Sequence, residues 1–380
     1  MLPSFYQKFL ERYLNPAQLI TLKMLVWLLQ SQKQVRIERL AATLPLPILG
    51  NSRRRHIQRF LSISSLSILA LWFPIIREIL SRQIQVGTQL IVALDRTQWQ
   101  ENNVLMVSAI HQKRAFPIFW TLLDKQGACN LAEQKQVLRP VIRLLQKYKL
   151  VIIGDREFHS IELAQSLHRQ HLSFVIRQKG KTTFREKRKP FQPLSNLPLK
   201  PGIRLFYPHV SLTKRKGFNR FNLAAYWKRK YKSKQSNEPW YLLTNLPNLK
   251  SAIQIYSQPY GIEAMFKDCK TGGYNLEGSK ASPDRLIRLI ILIALAMTSA
   301  WLQGKRTKLQ GQQKYVCRLQ ETGRTRRRHS NFWVGLYGEN WLIAFYQCQS
   351  WVEEMLSFIR NKKSFYQRGF RAINLIQQPL

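Results

Sequence analysis

The chain has little acid. Among 380 residues only 20 are Asp or Glu, against 61 Lys and Arg, giving a formal net charge of +41 and a pI near 10.7. Only five are aspartates, at 95, 124, 155, 268 and 284. A compact chain this basic repels itself, and a polyanion that sheds condensed counterions relieves the repulsion. Nucleic acid is therefore the expected partner, ahead of acidic lipid or a merely solvated surface. Cysteine is scarce too: Cys129, Cys269, Cys317 and Cys348 lie far apart with no Cys-x-x-Cys pair. This argues against a zinc site or disulfide framework and suits a reducing compartment. The seven histidines show no metal-ligand spacing. Long apolar runs are missing, the longest being Leu289–Leu302. It is too short to span a bilayer comfortably, so a buried helix is expected and no membrane partner. The start, MLPSFYQKFLERYLN, carries charge within an amphipathic pattern and reads as no signal peptide. A cytoplasmic, nucleoid-associated protein is expected. No internal repeat is visible.

What is present is a folded pattern. Hydrophobic residues make up 45% of the chain, enough for two or three domains with their own cores. Residues 1–85 follow a helical period, as in LITLKMLVWLLQ, and include the basic stretch RRRHIQRFL; this module is expected to bind DNA, with a packing bundle as the alternative. From Thr88 the period changes to that of strands. LIVALD, VLMVSAIH and FPIFWTLL read as an antiparallel meander. A helix at roughly 130–148, the strand LVIIGD, a helix near 159–170 and the strand SFVIRQ follow. The order βββαβαβ is that of an RNase H-like core. The expected class is α/β: an RNase H-like mixed sheet with a β-rich insertion and helical flanks. The core would occupy 86–180 and 248–303, the insertion 181–247. The region 304–380 reads as a basic loop with short apolar segments, with dimerisation one role open to it.

Two of the scarce aspartates close apolar runs, Asp95 in LIVALD and Asp155 in LVIIGD. A carboxylate at a strand end lies at a sheet edge where ligands bind. Two of them converging would suit a divalent cation inside a basic protein, as an enzyme cutting nucleic acid requires. Phosphoryl transfer on DNA uses metal ions to activate the attacking oxygen and stabilise the leaving one, and hard Mg²⁺ or Mn²⁺ needs carboxylate oxygens. Glu263, in YGIEAMFKDCKTGGYNLEG, is the best third acid. A helix starting near Tyr260 would bring Glu263, Phe266, Lys267 and Lys270 toward one broad face. Taken singly, either aspartate reads as a cap or turn former. Asp124 reads as a turn, Asp268 and Asp284 as surface or capping residues, and Glu157 as facing solvent.

With these residues in order, the chain resembles a DDE transposase of the bacterial insertion-sequence type, in the branch whose core carries a β-strand insertion. That group's signature is Tyr-x-x-Arg-x-x-x-Glu, six residues, then Lys; Tyr256, Glu263 and Lys270 fall at this spacing. LIVALDRT and VIIGDREF match its two aspartate contexts. The resemblance implies catalysis and metal binding by Asp95, Asp155 and Glu263 with two Mg²⁺ or Mn²⁺ ions. It implies DNA contacts from Tyr256, Lys270, Arg156, Trp240 and Lys267. It implies double-stranded DNA partners, namely terminal inverted repeats and a target, bound by a homodimer. Cut-and-paste transposition through a hairpin intermediate is the expected reaction. Trp240, in WYLLTNLP, matches a base-stacking Trp of related enzymes; a core Trp of the insertion is the alternative. Tyr260 would be a second wedge or simply pack. One departure stands out: Pro259 occupies the signature Arg position. Lys267 or Arg156 would then substitute, or the copy is a relic that binds element ends without cutting. A basic RNA-binding protein with no active site is the third alternative.

Overall fold

The computed structural model describes residues 2–213, 218–229, 238–258, 260–270, 273–323, 329–358 and 362–378. The chain divides into two compact units, one of residues 76–267 and one of 1–75 with 268–380.

The first unit is built on a mixed sheet of ten strands. They are β1 Gln89–Trp99, β2 Asn102–His111, β3 Arg114–Leu122, β4 Lys149–Gly154, β5 Ser173–Arg177, β6 Thr183–Arg185, β7 Gln192–Pro193, β8 Arg204–Leu212, β9 Phe218–Tyr226 and β10 Trp240–Thr244. Their spatial order is β3-β2-β1-β4-β5-β10-β9-β8-β6-β7. β1, β2 and β3 form an antiparallel meander, and β4 and β5 add in parallel to β1. The two parallel crossovers carry the helices Leu131–Leu144 and Ile161–Arg169. This is the RNase H-like arrangement. Leu90–Leu94 and Leu150–Gly154 are buried at every position, as strands covered on both faces must be.

The meander turns tightly. Gln112 and Lys113 both have positive φ, 49° and 63°, and His111 pairs with Arg114 across them. A two-residue turn with both φ positive matches the twist of the strands it joins.

The insertion grows from the edge of this sheet. Its last strand, β10, returns antiparallel beside β5, with Leu242 opposite Arg177. Three side-chain bonds stitch the seam. Thr244 Oγ1 donates to Phe174 O at 2.6 Å, Asn245 Nδ2 donates to Leu172 O at 2.9 Å, and Asn245 Oδ1 accepts from Phe174 N at 3.0 Å. Because β10 runs opposite to β5, its first residue, Trp240, lies at the edge where β5 ends.

The second unit is helical. Pro16–Gln32 begins with a capping box, in which Asn15 accepts from Gln18 N while Gln18 receives the Asn15 N–H. The basic helix Gly50–Phe60 is tied to it by Thr21 Oγ1 and His56 Nε2, 2.9 Å apart. Pro283–Leu309 is the unit's long axis and is buried almost throughout from Leu286 to Gly304. It is longer than its apolar stretch predicts, since polar turns extend it at both ends. By length and hydropathy it could cross a membrane, but 78% of that window is buried inside the protein. The region expected to be loop with short apolar segments is mostly helix instead. FWVGLYG and NWLIAFY join in the single helix Asn331–Gln347, followed by Gln349–Phe358 and Lys363–Gln377. Helices Pro283–Leu309 and Asn331–Gln347 cross in backbone contact: a Cβ on Gly304 would lie 1.8 Å from Asn331 O, and one on Gly335 1.8 Å from Ala300 O.

Candidate active site

Parallel pairing of β1 with β4 ends at Leu94 opposite Gly154. Asp95 and Asp155 are the next residues along the chain. Neighbouring strands lie about 4.8 Å apart, so two acids sixty positions apart in the chain are brought to adjacent positions at one sheet edge. Asp95 does not end its strand, as its apolar run suggested. β1 continues to Trp99 in the hairpin with β2; only the pairing to β4 stops, because Asp155 leaves the sheet and caps the short turn Arg156–Phe158. Asp155 Oδ1 accepts from Glu157 N at 2.8 Å, and Asp95 Oδ1 accepts from Arg96 N at 2.7 Å.

The third acid arrives on a separate helix. After Leu249–Tyr256 the chain breaks and a new helix runs from Tyr260 to Cys269. Its buried positions, Ile262 and Met265, recur at helical spacing, with Ser108 Oγ 3.7 Å from Met265 Sδ. Glu263 and Lys267 are left on the exposed side. The helix sits on the β2–β3 turn at a place where only glycine fits. A Cβ on Gly261 would meet Lys113 O, Arg114 C and Ala115 N, each at 2.9 Å. Pro259, in the signature Arg position, lies outside the described residues, and so does the side chain of Tyr260.

Asp95, Asp155 and Glu263 line one cleft of about 360 Å³ together with Arg177, Trp240 and Tyr256. Burial pushes the Asp95 carboxyl up to about 7; the Arg96 N–H opposes this, and the charges of Asp155, Glu157 and Glu263 add to it. Tyr256 is 8% exposed, and burial pushes its phenol up to about 12 against the pull of Arg177. Its ring meets Trp240 edge-on at 5.0 Å, and Trp240 also meets Tyr226 at 5.9 Å. Trp240 is half-buried: part of its ring packs on tyrosines and part faces the cleft.

Several expected residues are not among those lining the cleft. Lys267 is exposed and is not in the cleft wall. Lys270, in the other unit, pairs with Glu277 at 3.2 Å. Glu157 does not face solvent. Its carboxylate pairs with Arg96 Nε at 2.5 Å, and Arg96 Nη1 also donates to Gln98 Oε1 and Asn103 Oδ1, each at 2.9 Å. Asp268 is not a surface residue either, being 5% exposed. Asp284 lies in the first turn of Pro283–Leu309, where a negative charge is favoured.

Sequence reading missed Arg177. It ends β5, beside the two aspartates, and its side chain is only 17% exposed. The signal was there in SFVIRQ, whose apolar run ends in a charge as those of Asp95 and Asp155 do.

Among the described residues no three His, Cys, Asp or Glu side chains stand close enough to hold a metal ion as they are. The donors nevertheless suit a hard divalent cation in kind. They are carboxylate oxygens gathered on one cleft, where burial raises Asp95 and the neighbouring acids add to the rise.

Fold and cleft together define an RNase H-like protein with paired acids where its central strands part. The family model of the transposase DDE domain matches residues 106–299, half of the chain. The chain belongs to that family, and a DNA transposase or nuclease activity in general follows. The match begins beyond Asp95 and includes Asp155 and Glu263. No curated protein matches the chain. Among solved structures it is similar to the piggyBac transposase in a synaptic complex with hairpin DNA, at 14% identity and a TM-score of 0.41, covering 86% of this chain and 71% of that one.

Proposed function

We propose that this protein is the cut-and-paste transposase of a bacterial insertion sequence. Asp95, Asp155 and Glu263 act as its catalytic acids and would hold two Mg²⁺ or Mn²⁺ ions. The observation that carries the reading is the register of the central strands, which sets Asp95 beside Asp155 one residue past the last parallel pair, on a cleft shared with Glu263. Bound divalent cations would supply activation of the attacking oxygen and charge stabilisation at the leaving one.

The chain's own residues position the DNA. Water forms a bond to phosphorus at the element end as the 3′ oxygen leaves. The freed 3′-OH then attacks the opposite strand, closing a hairpin, and after reopening attacks the target. Trp240 stacks on a base turned out of the duplex near the hairpin; its partly open ring beside the cleft favours this role. The exposed Arg54 and Arg55 of the helix Gly50–Phe60 contact the terminal inverted repeat. Arg156, Tyr256, Lys267 and Lys270 complete the DNA contacts. A homodimer brings the two ends together in the bacterial cytoplasm, at the nucleoid.

The test is strand cleavage with Mg²⁺ on DNA carrying the inverted repeats that flank the reading frame. The parent should nick the element end and Asp95→Ala should not; equal cleavage by both would refute the catalytic role. A second reading, a relic that binds ends without cutting, is favoured by Pro259 in the signature Arg position and by the open spacing of the three acids. It predicts end binding by the parent with no nicking in either Mg²⁺ or Mn²⁺.

A further inference from the structure

Glu238 lies two residues before Trp240 and holds an unusual position for an acid in this chain. One oxygen, Oε2, accepts from two arginines. Arg156 Nη1 is one donor, and Arg177 Nη2, at 3.4 Å, is the other. Arg156 follows the proposed catalytic Asp155, and Arg177 lines the cleft itself. Arg177 Nη2 also donates to Pro239 O at 3.3 Å and the guanidinium bonds the Tyr256 phenol, while its buried Nε–H has no acceptor among the described residues. A buried donor without a partner calls for an explanation. Two guanidinium groups on one anionic oxygen, with a further N–H to give, are the donors that a phosphate diester uses. Glu238 meets the two arginines through Oε2 and leaves that N–H unmet.

We infer that Arg156 and Arg177 form a phosphate subsite at the edge of the cleft, that the Glu238 carboxylate occupies it in the DNA-free protein, and that a backbone phosphate of the substrate displaces Glu238. This rests on the DNA-cutting reading above. The exchange is undemanding: Glu238 is 52% and Arg156 49% exposed, and ion pairs at such exposure are weak. The subsite also gives the cleft guanidinium donors although position 259, where the family signature has arginine, holds proline. Glu238 has a second consequence. It offsets part of the charge of two cationic groups near Asp155 until a strand arrives, so the cleft prefers a polyanion that can bridge both arginines.

The test is a fluorescence-anisotropy titration of a labelled random-sequence duplex at several KCl concentrations. Glu238→Gln frees both arginines and should tighten binding roughly 3- to 10-fold. Arg177→Gln should weaken it and lower the salt slope by about 1. Most of the gain from Glu238→Gln should vanish in the Arg177→Gln background. Glu186→Gln, which removes an acid paired with Lys189 on the insertion, controls for the general loss of negative charge and should give a smaller gain. Arg177→Lys keeps the charge without the fork and should recover only part of the affinity. The inference is overturned if Glu238→Gln gains no more than Glu186→Gln, or gains as much without Arg177 as with it. A parent that binds duplex while Glu238→Gln changes nothing overturns this subsite alone. A parent that fails to bind duplex at low salt overturns the DNA-cutting reading as well.

Discussion

Asp95 is held against ionisation by burial and by neighbouring acids, and the metal-free protein should report this in its pH dependence. The folded carboxyl titrates at about 7 against an ordinary 3.8. Between those values the folded chain binds more protons at this group than the unfolded one. Its contribution to stability is therefore fully present below pH 4 and is lost as pH rises toward 7. At pH 8, without divalent cations, Asp95→Asn should be more stable than the parent by at most about 4 kcal/mol. Added Mn²⁺ should raise the Tm of the parent and not that of the variant. Chemical and thermal denaturation with EDTA and then with Mn²⁺ reads both effects. A parent whose stability is flat from pH 4 to 8 would contradict the burial argument. Trp240 allows a second expectation at this scale. Base stacking contributes roughly 1–3 kcal/mol, so on the proposed hairpin route Trp240→Ala should slow hairpin formation more than first-strand nicking. 2-Aminopurine fluorescence at the element end would follow the flipped base; an unchanged signal would return Trp240 to a packing role.

Among the elements, the helix Tyr260–Cys269 has the narrowest tolerance, because Gly261 lets it rest directly on the β2–β3 turn. Gly261→Ala forces the helix or the turn to move by a few tenths of an ångström. Misplacement of about 1 Å can cost 10²-fold in rate, so cleavage should fall by roughly 10-fold or more while DNA affinity holds. Kinetics beside a binding titration would separate the two. In the helical unit, Gly335→Ala places a methyl against Ala300 O at a distance no real contact allows. It should cost about 3 kcal/mol or more, measured by denaturant unfolding. The existence of these elements was legible from hydrophobic period alone: alternation and short apolar runs marked β1 to β5, and helical spacing marked Pro16–Gln32 and Pro283–Leu309. Extents were less so. β1 runs past Asp95 to Trp99 because pairing with β2 continues after the apolar run has ended, and FWVGLYG fuses with NWLIAFY because the intervening Glu339 is a good helix former and carries the helix through.

For the whole molecule, a net charge of +41 makes DNA affinity a counterion-release effect. The logarithm of the binding constant should fall linearly with that of salt concentration, with a slope of about −0.9 per phosphate neutralised. A flat dependence would exclude the basic surface as the DNA contact. The sequence by itself determined the charge, the strand and helix periods, and the motif around each of the three acids, because each is a local property written within a few neighbouring residues. Tertiary structure decided which groups meet. Asp95 stands beside Asp155 through the parallel register of β1 and β4. Arg177 enters the cleft because β5 is the next strand over. Glu157 turns to Arg96 and Glu238 bridges Arg156 and Arg177. Those partners lie 61 to 82 positions apart in the chain, a separation that only tertiary folding closes and that leaves no trace in local pattern.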